Sequence, residues 1–138
     1  NKKVSDKEVL IDEIVRTIRA SLGNRAKEDL IVDFIQQSNL DTYKDKTEII
    51  EQFFRFARVE QKKEVEALII SEGLKKDSAK RYIQAALNHE YVSENGTELN
   101  EALPKMSPLN ANYRNKKQQV FQKISTLVEK FKGIGGEI

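Results

Sequence analysis

The 138-residue chain has no cysteine and no tryptophan, a single methionine, a single histidine and only two prolines. Without cysteine there is no disulfide framework and no thiol chemistry, a composition that fits a cytosolic setting. With His89 as the lone histidine, no zinc-ligand set of cysteines and histidines can be assembled; His89 reads as a solvated residue at a helix end. No apolar run approaches the roughly 20 residues that span a bilayer, and no signal-peptide pattern is present. No glycine is followed by Lys-Ser/Thr, and Gly133-Ile-Gly-Gly136 does not lead into a helix, so a phosphate-cradling loop is missing. A Gly-x-Ser-x-Gly nucleophile turn is missing too. The chain starts Asn1-Lys2-Lys3, without an initiator methionine, as expected of a piece of a longer protein.

What is present is 38% hydrophobic and 33% charged residues, the balance of a globular chain, at a length that fits one domain with its own core. The net charge of +2 is small, but its distribution is uneven. Residues 1–72 carry 13 basic and 15 acidic side chains, residues 73–109 carry 5 and 5, and residues 110–138 carry 6 and 2. The excess of positive charge therefore sits at the C-terminal end, where it favours a polyanion.

The periodicity is helical nearly throughout. Ser5-Asp-Lys-Glu8 has the spacing of a capping box, and Ile11, Ile14, Val15, Ile18 and Leu22 follow at helical intervals. Gly23 can close that helix and Asn24 can cap the next, whose stripe is Leu30, Ile31, Phe34 and Ile35. Asp45-Lys-Thr-Glu48 repeats the capping chemistry before the most apolar segment, Ile49 to Ala57. The polar run Glu60–Glu64 either breaks that helix or carries it on exposed; Val65, Leu68 and Ile69 restore the stripe until Gly73. Asp77 can cap a further helix that buries Ala79, Tyr82, Ile83, Ala86 and Leu87. A last helix, roughly Ala111 to Lys132, carries Val120, Ile124, Leu127, Val128 and Phe131 on one side. These patterns predict an all-α fold of about five to six helices in a single domain over residues 1–132, with a flexible tail at 133–138. The predicted core includes Ile14, Ile18, Phe34, Phe53, Leu68, Ile83, Leu87, Ile124 and Leu127.

One stretch departs from this, Glu90 to Pro108. It holds Asn95-Gly96, a pair that favours left-handed dihedrals and tight turns, and both prolines, Pro104 and Pro108, which cannot continue a helix. A short hairpin near 91–99 is compatible with Tyr91-Val92 and Glu98-Leu99 flanking the turn, and Glu98 to Leu103 can form a helical turn. Turn-rich segments on a helical scaffold are frequent binding surfaces, which nominates Gly96, Thr97, Glu98, Leu99, Pro104 and Met106 as partner-binding residues. Two features nominate DNA contacts. Arg114, Lys116, Lys117 and Lys123 cluster on the basic last helix, where they can neutralise phosphates without reading bases. Lys80 and Arg81 extend the patch if that helix lies beside theirs. The order helix, Gly73 turn, helix, hairpin also mimics a winged helix-turn-helix. Glu60-Gln61-Lys62 matches the Glu-x-Lys fragment of metal-dependent nucleases, but it falls in a helical stretch and lacks a strand-borne acid.

The run from Glu64 to Phe131 resembles the C-terminal domain of the motor (restriction, or R) subunit of type I restriction-modification enzymes, the type IC group in particular. The residues that carry the resemblance are Glu64-Val-Glu-Ala-Leu-Ile69 with Glu72, Arg81-Tyr-Ile83, Gly96-Thr-Glu-Leu99, Leu103-Pro104 with Met106-Ser107, Lys116-Lys-Gln118 with Val120, and Phe131. Met106-Ser107-Pro108 departs from the expected pattern, in which a proline comes earlier and an aromatic follows the serine. The resemblance implies a cytoplasmic parent that translocates and cleaves DNA with ATP and magnesium and joins a methyltransferase core of modification and specificity subunits. It implies that this domain holds neither nuclease nor motor motifs and no cofactor of its own. Its partners would be the core subunits, double-stranded DNA and the rest of the motor subunit, with no membrane. The function expected is assembly with the core together with sequence-independent DNA binding. A winged DNA-binding module and a purely structural interaction domain are the alternatives.

Overall fold

A computed structural model describes residues 11–20, 28–37, 45–89, 92–94, 96–104, 111–131 and 134. Expectations for Ser5–Glu8, Leu22, Gly23, Asn24, Tyr91, Asn95, Met106, Pro108 and Gly133 lie outside the described residues. The expected all-α class holds: the described residues form six helices and no strand. They are α1 over residues 11–20, then α2 (Glu28–Gln37), α3 (Lys46–Glu72), α4 (Lys76–His89), α5 (Thr97–Ala102) and α6 (Ala111–Lys130). Contacts group the chain into two compact units, Asn1–Val59 and Glu60–Ile138.

In the first unit, α1 buries Ile14 and Ile18, four residues apart and hence on one face. α2 buries Leu30, Ile31 and Phe34. The Phe34 ring meets Phe53 of α3 edge-on, with centroids 5.4 Å apart and planes at 78°, and lies 5.7 Å from Phe56. Edge-to-face packing sets the positive rim of one ring on the negative face of the other. α3 begins as the capping chemistry predicts: the Asp45 carboxylate accepts the Glu48 backbone N–H at 2.8 Å, satisfying one of the four donors a helix start leaves open.

α3 does not break at its polar run. It continues through Glu60–Glu64, and Gln61 there is fully buried rather than exposed. The buried positions recur every fourth residue, Ile49, Phe53, Ala57, Gln61, Val65 and Ile69. A step of four on a 3.6-residue turn drifts about 40° around the helix, so the buried line winds around α3. That drift corrects one core assignment: Leu68 is only partly buried, and Ile69 takes the inward place.

The second unit opens on the end of α3. Gly73 has φ +64°, the left-handed region that glycine occupies without a Cβ clash. Its N–H donates to the Ile70 carbonyl and the Leu74 N–H to the Ile69 carbonyl, the paired bonds of a Schellman cap, with Leu74 and Ile69 both buried. The next N–H, of Lys75, donates to the Ala102 carbonyl at 2.8 Å, fixing the end of α5 to this turn. α4 then starts one residue before Asp77. The Ala79 N–H reaches the Lys75 carbonyl, so Asp77 lies in the first turn of the helix, not at its cap, and there its charge still opposes the positive helix end.

α4 buries Ser78, Ala79, Tyr82, Ile83, Ala86 and Leu87 and packs against both α5 and α6. The hairpin expected near 91–99 is replaced in its second arm by α5, because Leu99 and Ala102, three residues apart, share one helical face and are both buried. Gly96 is not a left-handed turn residue: its φ is −58°. Glycine is needed there for space, since a Cβ would stand 3.0 Å from Tyr82 Cε2 and 3.2 Å from the Ser93 carbonyl oxygen. The Tyr82 hydroxyl donates to that same carbonyl at 2.7 Å. α6 buries Val120, Ile124, Leu127 and Val128, with Phe131 beyond its end.

Phe53→Ala removes a fully buried ring and its edge contact, and should lower stability by about 3–5 kcal/mol in urea unfolding. Leu68→Ala should cost clearly less than Ile69→Ala in the same measurement; equal losses would contradict the winding of the buried line.

Candidate partner and nucleic-acid interface

Three lysines of α6 stand seven residues apart, Lys116, Lys123 and Lys130, close to two full helical turns each. All three meet acids of α3. Glu72 is 9% exposed and accepts from Lys123 Nζ at 2.6 Å and from Lys116 Nζ at 3.2 Å, one lysine on each carboxylate oxygen. Glu64 accepts from Lys130 at 2.7 Å. As α3 runs from Glu64 to Glu72, the partners on α6 run from Lys130 back to Lys116, so the two segments are antiparallel. Lys130 also lies 5.7 Å from the Phe131 ring centroid, within cation–π range. The hydrogen bond from Lys123 holds the Glu72 carboxyl below its ordinary range, against burial, which pushes it up; Lys116 adds to the lowering.

These pairs change the standing of the nominated DNA residues. Lys116 and Lys123 face Glu72, and a phosphate would have to compete with that carboxylate. Arg81 is well exposed, with Nε 3.7 Å from Glu98, a surface pair worth at most about 1 kcal/mol. Lys80 is half-buried on α4. α4 does pack against α6, the condition under which Lys80 and Arg81 extend the patch. Arg114 and Lys117, one turn apart on α6, line a cleft of about 820 Å³.

The opposite wall of that cleft comes from the turn-rich stretch. Glu94 and Asn100 line it together with Tyr113, Arg114, Lys117 and Gln118. The Tyr113 hydroxyl donates to Asn100 Oδ1 at 3.2 Å across the cleft, which leaves the Asn100 amide with its two N–H donors. Of the residues nominated for partner binding, Leu99 is fully buried and belongs to the core. Gly96 packs against Tyr82, Glu98 faces Arg81, and Thr97 is exposed. Pro104 is half-buried, and Met106 lies outside the described residues. The cleft residues Glu94, Asn100, Tyr113 and Gln118 are not among those nominated from sequence. No periodicity announces a site whose walls are 13 residues apart in sequence and meet only through folding.

Glu60-Gln61-Lys62 lies inside α3. Glu60 sits 3.8 Å from Lys63, and Gln61 faces the interior, so the strand such a nuclease fragment requires is not formed there. Among the described residues no group of three acidic, histidine or cysteine side chains is placed to hold a metal ion. None of their helices is long and apolar enough to cross a membrane.

The family model described as type I restriction and modification enzyme, subunit R, C-terminal, matches residues 1–131. The chain belongs to this family. The match extends past the run that carries the resemblance, Glu64 to Phe131, to take in α1, α2 and the first half of α3. Subunit R works within a multisubunit enzyme that acts on DNA, so other subunits and DNA are its general surroundings. Within this R-subunit domain, some of the residues that carry the resemblance have structural roles. Glu72 and Lys116 form an ion pair, and Tyr82 supports the Gly96 turn.

The Glu72 clasp makes stability depend on pH. A carboxyl whose pKa is lowered by folding contributes stability that is fully present above its unfolded value, near 4.5, and lost as pH falls through the lower folded value. The stability difference between the wild-type domain and Glu72→Gln should therefore be constant at neutral pH and shrink below about pH 4.5. Urea unfolding at pH 7 and across the acid range measures it, and a difference that grew on acidification would be the wrong sign.

Proposed function

We propose that this domain is a non-catalytic docking module of the R subunit, which helps hold the subunit on the methyltransferase core of modification and specificity subunits. The observation that supports the reading is the cleft in which the turn-rich stretch and the basic helix meet. Concave sites of about 300–1,000 Å³ with a few convergent polar groups are where ligands and partner segments commonly seat. Family membership supplies the setting, a large assembly in which an R subunit must be attached. ATP, magnesium, translocation and cleavage belong in this reading to the rest of the parent, in the cytoplasm.

A second role, sequence-independent contact with the DNA duplex, is favoured by the packing of α4 against α6, which gathers Lys80, Arg81, Arg114, Lys117 and Lys123 in one unit of the fold. Ammonium and guanidinium groups suit phosphates and need no base contacts. The contact is modest in this reading, because Lys116 and Lys123 are shared with Glu72 and exposed charges are screened over about 8–10 Å at physiological salt.

Deleting residues 1–132 from the parent subunit should weaken its association with the methyltransferase core in analytical ultracentrifugation; unchanged assembly would defeat the docking role. Changing Lys80, Arg81, Arg114 and Lys117 to alanine should flatten the slope of log K against log salt for the parent's DNA binding, by about 0.9 for each phosphate that is no longer neutralised. An identical slope and affinity would show that these cations are merely solvated.

A further inference from the structure

We infer that Lys123 is shared between the Glu72 carboxylate and a phosphate of the DNA backbone, and that Lys116 is the residue that releases it, by keeping Glu72 neutralised. The inference rests on the DNA-contact reading and names the regulation of that surface. Glu72 is one negative charge held by two positive ones, with Lys123 Nζ on one carboxylate oxygen at 2.6 Å and Lys116 Nζ on the other at 3.2 Å. One lysine is enough to neutralise it, so the second is a surplus. The other pair of the seam has none: Glu64 meets one cation among the described residues, Lys130, whose ammonium is also engaged over the Phe131 ring.

Access decides which of the two lysines is the surplus one. The Lys123 side chain is 55% exposed and that of Lys116 28%, so a phosphate arriving from solvent meets Lys123 first. A lysine carries its charge on a flexible stem and can turn from one acceptor to another. Were Lys123 the single partner of Glu72, its departure would leave a nearly buried carboxylate uncompensated, which is strongly destabilising. With Lys116 in place the carboxylate keeps a charge-assisted hydrogen bond, and α6 stays fastened to α3 while Lys123 turns to the duplex. Glu72 thus competes with phosphate for Lys123, and Lys116 acts on DNA contact as a positioning residue without touching DNA.

The test is the salt dependence of binding by the full parent R subunit to a random-sequence duplex. Lys123→Ala should flatten the slope of log K against log salt by about 0.9, the share of one phosphate. Lys116→Ala should flatten it as much, because Lys123 is then the one cation on Glu72 and stays there. Glu72→Gln removes an anion from beside the phosphate and should raise duplex affinity by about threefold or more at the same salt. In the Glu72→Gln background Lys116→Ala should lose its effect and Lys123→Ala should keep it. A slope flattened by Lys116→Ala in both backgrounds would mean that Lys116 itself meets phosphate and would overturn the inference. A second route needs no change at Glu72: Lys116→Ala combined with Lys123→Ala should flatten the slope by about 0.9 in all, whereas about 1.8 would overturn the inference. If Lys123→Ala leaves the slope as in the wild type while the alanine variant at Lys80, Arg81, Arg114 and Lys117 flattens it, the sharing of Lys123 fails and DNA contact survives. If neither variant changes the slope, both fail.

Discussion

Glu72 sits at the last residue of a long helix, where the backbone carbonyls already present partial negative charge, and it is almost wholly withdrawn from water. An acid there is unfavourable on two counts unless cations come to it. Two do, from a helix more than forty positions later in the chain, and the organisation of the second unit is tied to that meeting. The Gly73 cap ends α3 at the right residue, Lys75 fastens the end of α5 to the same turn, and α6 is drawn antiparallel along α3. Removing one partner of such a group leaves a buried charge uncompensated, which is more damaging than never having had the pair.

The ion pairs also separate charge that is counted from charge that is available. The +4 excess of residues 110–138 is real as composition, but three of its six cations face α3 acids. A basic helix read from sequence as a phosphate-binding face is in large part an internal fastening. Toward the start of α6, Arg114 lines a cleft next to an acid and two amides. A surface of that kind discriminates by pattern more than by net charge.

The helices are legible because the apolar intervals at Ile14–Ile18, Leu30–Phe34, Ala79–Leu87 and Val120–Phe131 follow helical spacing, and because Asp45 and Gly73 carry their cap chemistry in their own side chains or lack of one. Four things are not legible. Gln61 reads as solvated because polarity alone does not show which way a winding stripe faces. Leu68 and Ile69 are adjacent, and a one-residue choice between them needs the drift of the whole helix. Gly96 reads as a turn residue, whereas its requirement is imposed by the Tyr82 ring fourteen positions earlier. The cleft is invisible for the same reason: Asn100 and Tyr113 touch only once α5 and α6 are folded. The seven-residue spacing of Lys116, Lys123 and Lys130 is plain in the sequence, and it becomes informative beside acids at 64 and 72.

That spacing has a further consequence for how α6 finds its place. A ladder that repeats every seven residues is degenerate: sliding α6 by one repeat, about 10.5 Å, would set another lysine against Glu72. Charge alone therefore does not choose the alignment. The buried apolar line repeats at the same interval, Val120 with Leu127 and Ile124 with Phe131, so a slide exchanges one apolar side chain for another of different size, and the fit of those sizes makes the choice. The acids and lysines work as a zip, and the differing sizes of the apolar residues are the stop that makes one closure the native one.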